Sequence, residues 1–92
     1  MLIIFSDRFQ LKLENIVKSI AKDSLTRAYN FKDDLNSKIY RLPNHPRFYK
    51  KSIKFNDENI RDYIFKSYVI PYLIDDDKIV ILGIYKHNLW NK

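Results

Sequence analysis

Three apolar runs rich in Ile, Val, Tyr and Phe sit close together late in the chain, over residues 59–65, 68–74 and 78–85. Lys66-Ser67 and Asp75-Asp76-Asp77 separate them. Runs of β-branched and aromatic residues with short polar breaks predict antiparallel strands joined by tight turns. Alternation then gives two faces: Tyr68, Ile70, Tyr72 and Ile74 point one way and Val69, Pro71 and Leu73 the other. In the last run Ile79, Ile81, Gly83 and Tyr85 alternate with Val80, Leu82 and Ile84. Pro71 has no N–H to give a ladder, which predicts an edge strand or a bulge at that point more readily than a central strand.

Upstream the period changes. Residues 2–5 are a short apolar run without helical spacing and predict a strand that joins the sheet. Ser6 or Asp7 can cap the helix that follows through a side-chain oxygen. From 8 to 22 the apolar positions are Phe9, Leu13, Ile16, Val17 and Ile20, a spacing of three and four that builds one buried stripe and leaves Leu11 off it. Asp23-Ser24 offers a second cap, and Leu25, Ala28, Phe31, Leu35, Ile39 and Leu42 repeat the pattern. Pro43 disfavours a helical residue before it, so the helix is expected to end near Arg41 or Leu42. So short a link makes the pair an antiparallel hairpin with both stripes on the sheet. The expected class is α+β: a short N-terminal strand, a two-helix antiparallel hairpin and an antiparallel sheet of three to four strands.

Composition narrows the chemistry. At 92 residues the chain is one domain, 1–92, with a single core. It has no cysteine, which excludes a disulfide framework and a thiolate metal site. Its single glycine, Gly83, excludes a glycine-rich phosphate loop. The carboxylates of Asp75, Asp76 and Asp77 lack the spacing and the neighbouring histidine of a metal site and read as a solvated turn, so neither metal nor cofactor is expected. A net charge of +6 points to an anionic partner, whether nucleic acid, acidic protein or anionic lipid, against the plainer reading of a solvated basic surface. The opening apolar run stops at Ser6-Asp7, too short for a signal-peptide core or a membrane span, so a cytoplasmic protein without a membrane partner is the default.

The most basic and least regular segment is 43–55, where Pro43 and Pro46 predict a loop. Arg47, Phe48, Tyr49, Lys50, Lys51 and Lys54 interleave cations with rings, a mixture that holds phosphates while stacking on bases. The alternative turns Phe48 and Tyr49 inward as core anchors and leaves the lysines in water. Leu89 and Trp90, after the last run, are either a tail packed on the helices or an anchor for a partner.

The succession of strand, two helices, basic loop and meander resembles the RelE/ParE superfamily of bacterial toxins from type II toxin-antitoxin modules. The similarity is carried by Ala21-Lys22-Asp23-Ser24 with Ala28 and Phe31, by 42–46, by Ile60-Arg61, by Tyr68-Val69-Ile70-Pro71-Tyr72, by the aspartate turn and by Ile81-Leu82-Gly83-Ile84-Tyr85-Lys86. It covers nearly the whole chain. The resemblance implies a toxin that arrests growth when free and is silenced by a cognate antitoxin in a hetero-oligomer. Members of the superfamily either cleave mRNA on the ribosome, RelE-like, or poison DNA gyrase, ParE-like. Where many of them have Tyr-Arg-x-x-Tyr this chain has Val69 for the arginine, and Gly83 stands where many have another arginine. The missing sheet cations favour the ParE-like reading over an endoribonuclease. A non-toxic basic RNA-binding or interaction module is the third reading.

Cleaving RNA through its own 2′-hydroxyl needs a base, cations for the crowded phosphate and an acid for the leaving oxygen. Lys54, Arg61, Tyr85, Lys86 and His87 can supply these if the meander gathers them on one face. Of these only His87 has an ordinary pKa near neutrality. The plain reading makes Lys54 and Arg61 exposed strand cations and His87 a solvated side chain, with His45 weaker still. For binding a target or nucleic acid the candidates are Arg47, Tyr49, Lys50, Lys51, Lys54 and Trp90. Apolar residues on both sheet faces predict that the antitoxin lays an amphipathic helix or an added strand on whatever the hairpin leaves open.

Overall fold

The computed structural model describes residues 1–87. Leu89 and Trp90 therefore lie outside the described residues. Strand β1 (Leu2–Phe5) leads into helix α1 (Asp7–Asp23) at Ser6. Ser6, and not Asp7, is the cap: its Oγ accepts from the Phe9 N–H at 3.1 Å and donates to the Leu82 carbonyl at 3.0 Å. One hydroxyl thus closes the helix end and ties it to the far end of the chain. Helix α2 (Leu25–Ile39) follows after a single residue, Ser24, whose N–H closes α1 on Ile20 and whose Oγ accepts from Arg27 at 3.1 Å.

The two stripes face one core, where Phe9, Leu13, Phe31, Leu35 and Ile39 are buried and Ile16, Val17 and Ile20 pack at its margin. Leu11 is exposed, as its position off the stripe requires. Leu25 is also exposed, at 63 %, against the expectation that it belongs to the second stripe. It is the first residue of α2, beside the one-residue turn at Ser24. The end of α2 also differs from expectation. The helix stops at Ile39, and a 3-10 turn (Leu42–Asn44) carries Pro43 at its start, a position where a missing N–H leaves nothing unpaired. The segment expected to be wholly irregular thus opens with one tight helical turn.

The sheet is built from β2 (Ile60–Phe65), β3 (Tyr68–Asp75) and β4 (Lys78–Ile81) as an antiparallel meander, with the two-residue β5 (Tyr85–Lys86) continuing along β3. Its order is β1-β4-β3-β2, and β1 joins parallel to β4, so the sheet is mixed and not wholly antiparallel. Ile79, Ile81, Ile70, Tyr72 and Ile74 face the helices and complete the core.

Pro71 occupies a central strand, and the ladder explains how. The Pro71 carbonyl accepts from Leu82 at 2.9 Å, and in a strand the N and C=O of one residue face the same neighbour. The absent N–H therefore points at 82–84, where the last strand is interrupted. Between the pairs Tyr72–Ile81 and Val69–Tyr85, β3 advances three residues while its partner advances four. One extra residue is accommodated opposite the proline, in the manner of a bulge. It also corrects the expected alternation: Ile84, and not Gly83, joins Ile79 and Ile81 in the core, and Tyr85 turns to the opposite face with Val69.

Both hairpin turns contain a residue with positive φ, Lys66 at 53° and Asp76 at 52°. Glycine carries no Cβ penalty there, so Asp76→Gly is expected to stabilise the domain by about 0.5 kcal/mol after the entropy it adds to the unfolded chain. Thermal unfolding checks this as a rise of about 2–4 °C.

Candidate functional site

The register sorts the polar residues onto two faces. One row across the helix-facing side reads Phe5, Ile81, Tyr72, Arg61, and one row across the open side reads Ile4, Val80, Leu73, Ile60. Asp62, Ile64, Val69 and Pro71 share the open side. The basic loop then adds itself to the outer edge of β2 through an isolated Lys51–Arg61 bridge, with Ser52 N–H on the Ile60 carbonyl at 2.8 Å and Asp62 N–H on the Lys50 carbonyl at 3.0 Å. This addition carries Ile53 and Lys54 over the open side. The Ile53 N–H donates to Asp62 Oδ2 at 3.1 Å.

Two hollows result, and the Tyr85 ring contributes to both. The first, of about 310 Å³, is lined by Ile53, Asp62, Ile64, Val69, Tyr85, Lys86 and His87. Asp62 is only 8 % exposed, and its Oδ1 has no hydrogen-bond partner. The second, of about 280 Å³, gathers Arg8 and Lys12 from α1 with Lys54, and Gly83 opens onto it with no atom within 4 Å of the place a Cβ would take. Lys54 Nζ stands 4.4 Å from the centroid of the Tyr85 ring. Burial, and then the Asp62 carboxylate, push the Tyr85 phenol above its usual pKa.

The five residues suggested for RNA cleavage therefore divide. Lys54, Tyr85 and His87 share the open side. Arg61 lies in the helix-facing row, where its Nη1 donates to the Tyr49 carbonyl at 3.1 Å, and Lys86 turns its Nζ onto the Tyr68 ring at 4.9 Å. In the loop, Arg47 donates to Asn59 Oδ1 at 2.8 Å, whereas Lys50 and Lys51 are exposed. The two rings split between the readings offered for them. Tyr49 is half-buried with its ring centroid 5.1 Å from that of Tyr63, while Phe48 packs edge-on to Tyr49 and stays 77 % exposed. Trp90 lies outside the described residues. Among those described, no group of three His, Asp or Glu side chains could hold a metal ion, and no helix is long and apolar enough to cross a membrane.

Sequence reasoning passed over Asp62, Arg8 and Lys12. Arg8 and Lys12 stand four apart at the start of α1 and so share a helix face, a signal visible in the chain; that this face meets 82–85 is not. Asp62 alternates with Arg61 and Tyr63 on β2, which marks it as pointing away from them.

A two-helix hairpin thus roofs one face of a mixed sheet and leaves the other without helices. The fold is similar to that in a structure titled as the chromosomal ParDE toxin-antitoxin system from P. aeruginosa, with a TM-score of 0.78, 13% sequence identity, and coverage of 96% of this chain and 97% of that one. No curated protein matches the sequence. The family model described as ParE toxin of type II toxin-antitoxin system, parDE, matches residues 3–88, and the chain belongs to that family. It is a toxin of the RelE/ParE superfamily, whose cognate partner is an antitoxin.

Proposed function

We propose that this toxin acts ParE-like, by binding DNA gyrase and converting it into a source of DNA breaks, and not by cutting RNA. The observation that carries the reading is the make-up of the open sheet face. At its centre stand Ile64, Val69, Pro71 and Leu73, the cations Lys54, Arg8 and Lys12 reach it only from the flanking loop and helix, and Arg61 faces the other way. A ribonuclease must surround the phosphate with cations and a proton acceptor. Here burial pushes the Tyr85 phenol further above its usual pKa, the wrong direction for a general base. Induced expression in a bacterial host tests the target: the expected result is growth arrest with gyrase-linked DNA breaks. New mRNA ends without DNA breaks would reject it in favour of the ribosome and mRNA as target, and unimpaired growth would reject toxicity itself.

The antitoxin segment docks on the open face, where Ile4, Val80 and Leu73 line up without a roof. With a net charge of +6, the toxin attracts an acidic partner, and exposed Lys50 and Lys51 sit where the loop meets the outer edge of β2. Reversing both to Glu is expected to slow association by about tenfold at low salt while leaving dissociation nearly unchanged, as stopped-flow mixing would measure. An unchanged association rate would move the electrostatic contact elsewhere.

A further inference from the structure

We infer that the hollow gathering Arg8, Lys12 and Lys54 is a binding site for a phosphate dianion, whether inorganic phosphate or the terminal phosphate of a nucleic-acid strand. The inference stands apart from the choice of gyrase as target, because it concerns what the chain binds and not what it arrests.

Arg8 and Lys12 stand four apart on α1, so their like charges are neighbours on one side of the helix, an arrangement that by itself weakens the helix. Lys54 joins them in the same hollow from the basic loop. None of the three makes an ion pair among the described residues, where the pairs present are Lys18–Glu14 and Lys78–Asp75. Asp7, beside Arg8, is not part of the lining, and Asp62 lines the other hollow, where its Oδ2 accepts the Ile53 N–H. Three cations thus share about 280 Å³ with no acidic side chain in the lining. Local choices that oppose stability without compensation nearby are expected where a chain binds something.

The walls favour a small anion of high charge. Phe55, Pro71, Leu82 and Ile84 are apolar, so a charge seated against them interacts more strongly with its partners than it would in open water. Gly83 leaves the space clear, with nothing within 4 Å of the place a Cβ would take, and its N–H meets no backbone carbonyl among the described residues. Lys54 Nζ stands 4.4 Å from the centroid of the Tyr85 ring, which gives this loop cation a defined position at the rim. A phosphate matches three cations better than a carboxylate does. At the end of a chain or free, it carries a charge of about −1.5 to −2 at neutral pH and presents three terminal oxygens, one for each cation. A carboxylate brings one charge and two oxygens. Each phosphodiester within a strand also carries a single charge, so a terminal phosphate is preferred to an internal one.

The test is an amide-resolved NMR titration of the full chain, at low salt and neutral pH, with inorganic phosphate, with acetate, and with an oligothymidylate carrying or lacking a 5′-phosphate. Phosphate is expected to shift Arg8, Lys12, Lys54 and Gly83 along one saturable curve and to bind about tenfold more tightly than acetate. Arg8→Gln and Lys54→Gln, both at exposed positions, are each expected to weaken phosphate by about tenfold, whereas Lys50→Gln, in the same loop but outside the lining, should leave it unchanged. Gly83→Glu sets a carboxylate into the open space among the three cations and should abolish binding. Acetate as tight as phosphate would overturn the phosphate reading in favour of a carboxylate side chain from a protein partner. Shifts spread evenly over Lys50, Lys51 and the other surface lysines would overturn the site itself; both outcomes are read in the wild-type chain, whatever the folding of the variants. Glutamine variants that bind as the wild type does would overturn the roles given to Arg8 and Lys54. A 5′-phosphorylated strand that binds far more tightly than both inorganic phosphate and its unphosphorylated twin would identify the source as a strand end, and affinity equal to that of inorganic phosphate would identify it as the free ion. An unphosphorylated strand as tight as the phosphorylated one would overturn the preference for a terminal phosphate.

Discussion

Ile81→Ala is expected to lower the unfolding free energy by about 3 kcal/mol, within the range measured for truncating a fully buried Ile, and to lower the melting temperature by about 15 °C. The site makes so large an effect reasonable. Ile81 has no exposed surface, and it stands in the helix-facing row between Phe5 of β1 and Tyr72 of β3. Its carbonyl also accepts the Ser6 N–H at 3.1 Å, at the corner where the chain leaves the sheet for α1. Three strands and a helix start thus meet at one side chain, and the surroundings cannot collapse into the void without moving all of them. For a domain of this size total stability is about 5–14 kcal/mol, so the loss is a large share of the whole. Leu11→Ala and Leu25→Ala, at 61 % and 63 % exposure, should each change stability by no more than about 0.5 kcal/mol. Denaturant melts of the three variants check the ranking. A Leu25→Ala as damaging as Ile81→Ala would restore Leu25 to the buried stripe.

The same residues show what was legible in the chain before its fold was known. The stripes of α1 and α2 and the three runs of the meander were readable because burial on one face writes its period directly into the sequence. What periodicity cannot carry is pairing between distant segments. Nothing local in Leu2–Phe5 distinguishes a parallel neighbour of β4 from an antiparallel one. Nor does anything near Gly83 announce the extra residue that sends Ile84 inward and Tyr85 outward. That cause lies at Pro71, whose missing donor was legible but whose place in the sheet was not. Since Tyr85 divides the two hollows, this one unpredictable step governs the candidate site. It brings Tyr85 to the side of Lys54 and Asp62 and away from Arg61, separating residues that a strict alternation count could not have assigned. Asp62 illustrates the other limit: its place in the site comes from the Ile53 N–H supplied by a loop nine residues upstream.

Tyr72 supplies a second large effect, on the alkaline side. Its ring is fully buried and its hydroxyl donates to the Pro46 carbonyl at 2.7 Å, tying the basic loop to the centre of the sheet. Burial first, and then the nearby Tyr49 and Asp62, push its pKa well above the usual phenol value, while Arg61 opposes them. A raised pKa in the folded state means that, above the unfolded value of about 10, the unfolded chain gives up this proton while the folded chain keeps it. The stabilisation is therefore complete below pH 10 and falls as pH rises beyond it, by about 1.4 kcal/mol per pH unit from this one group. Tyr72→Phe removes the hydrogen bond and should cost about 1 kcal/mol at neutral pH, but it also removes the proton. The difference in stability between the two proteins should accordingly shrink above pH 10 and reverse near about pH 11, where the variant becomes the more stable. Taking that difference cancels the titration of the lysines and of Tyr63 and Tyr85, whose pKa values are also raised chiefly by burial. Urea unfolding of both proteins at a series of pH values measures it, and parallel curves from pH 8 to 11 would show that the phenol does not hold its proton through folding.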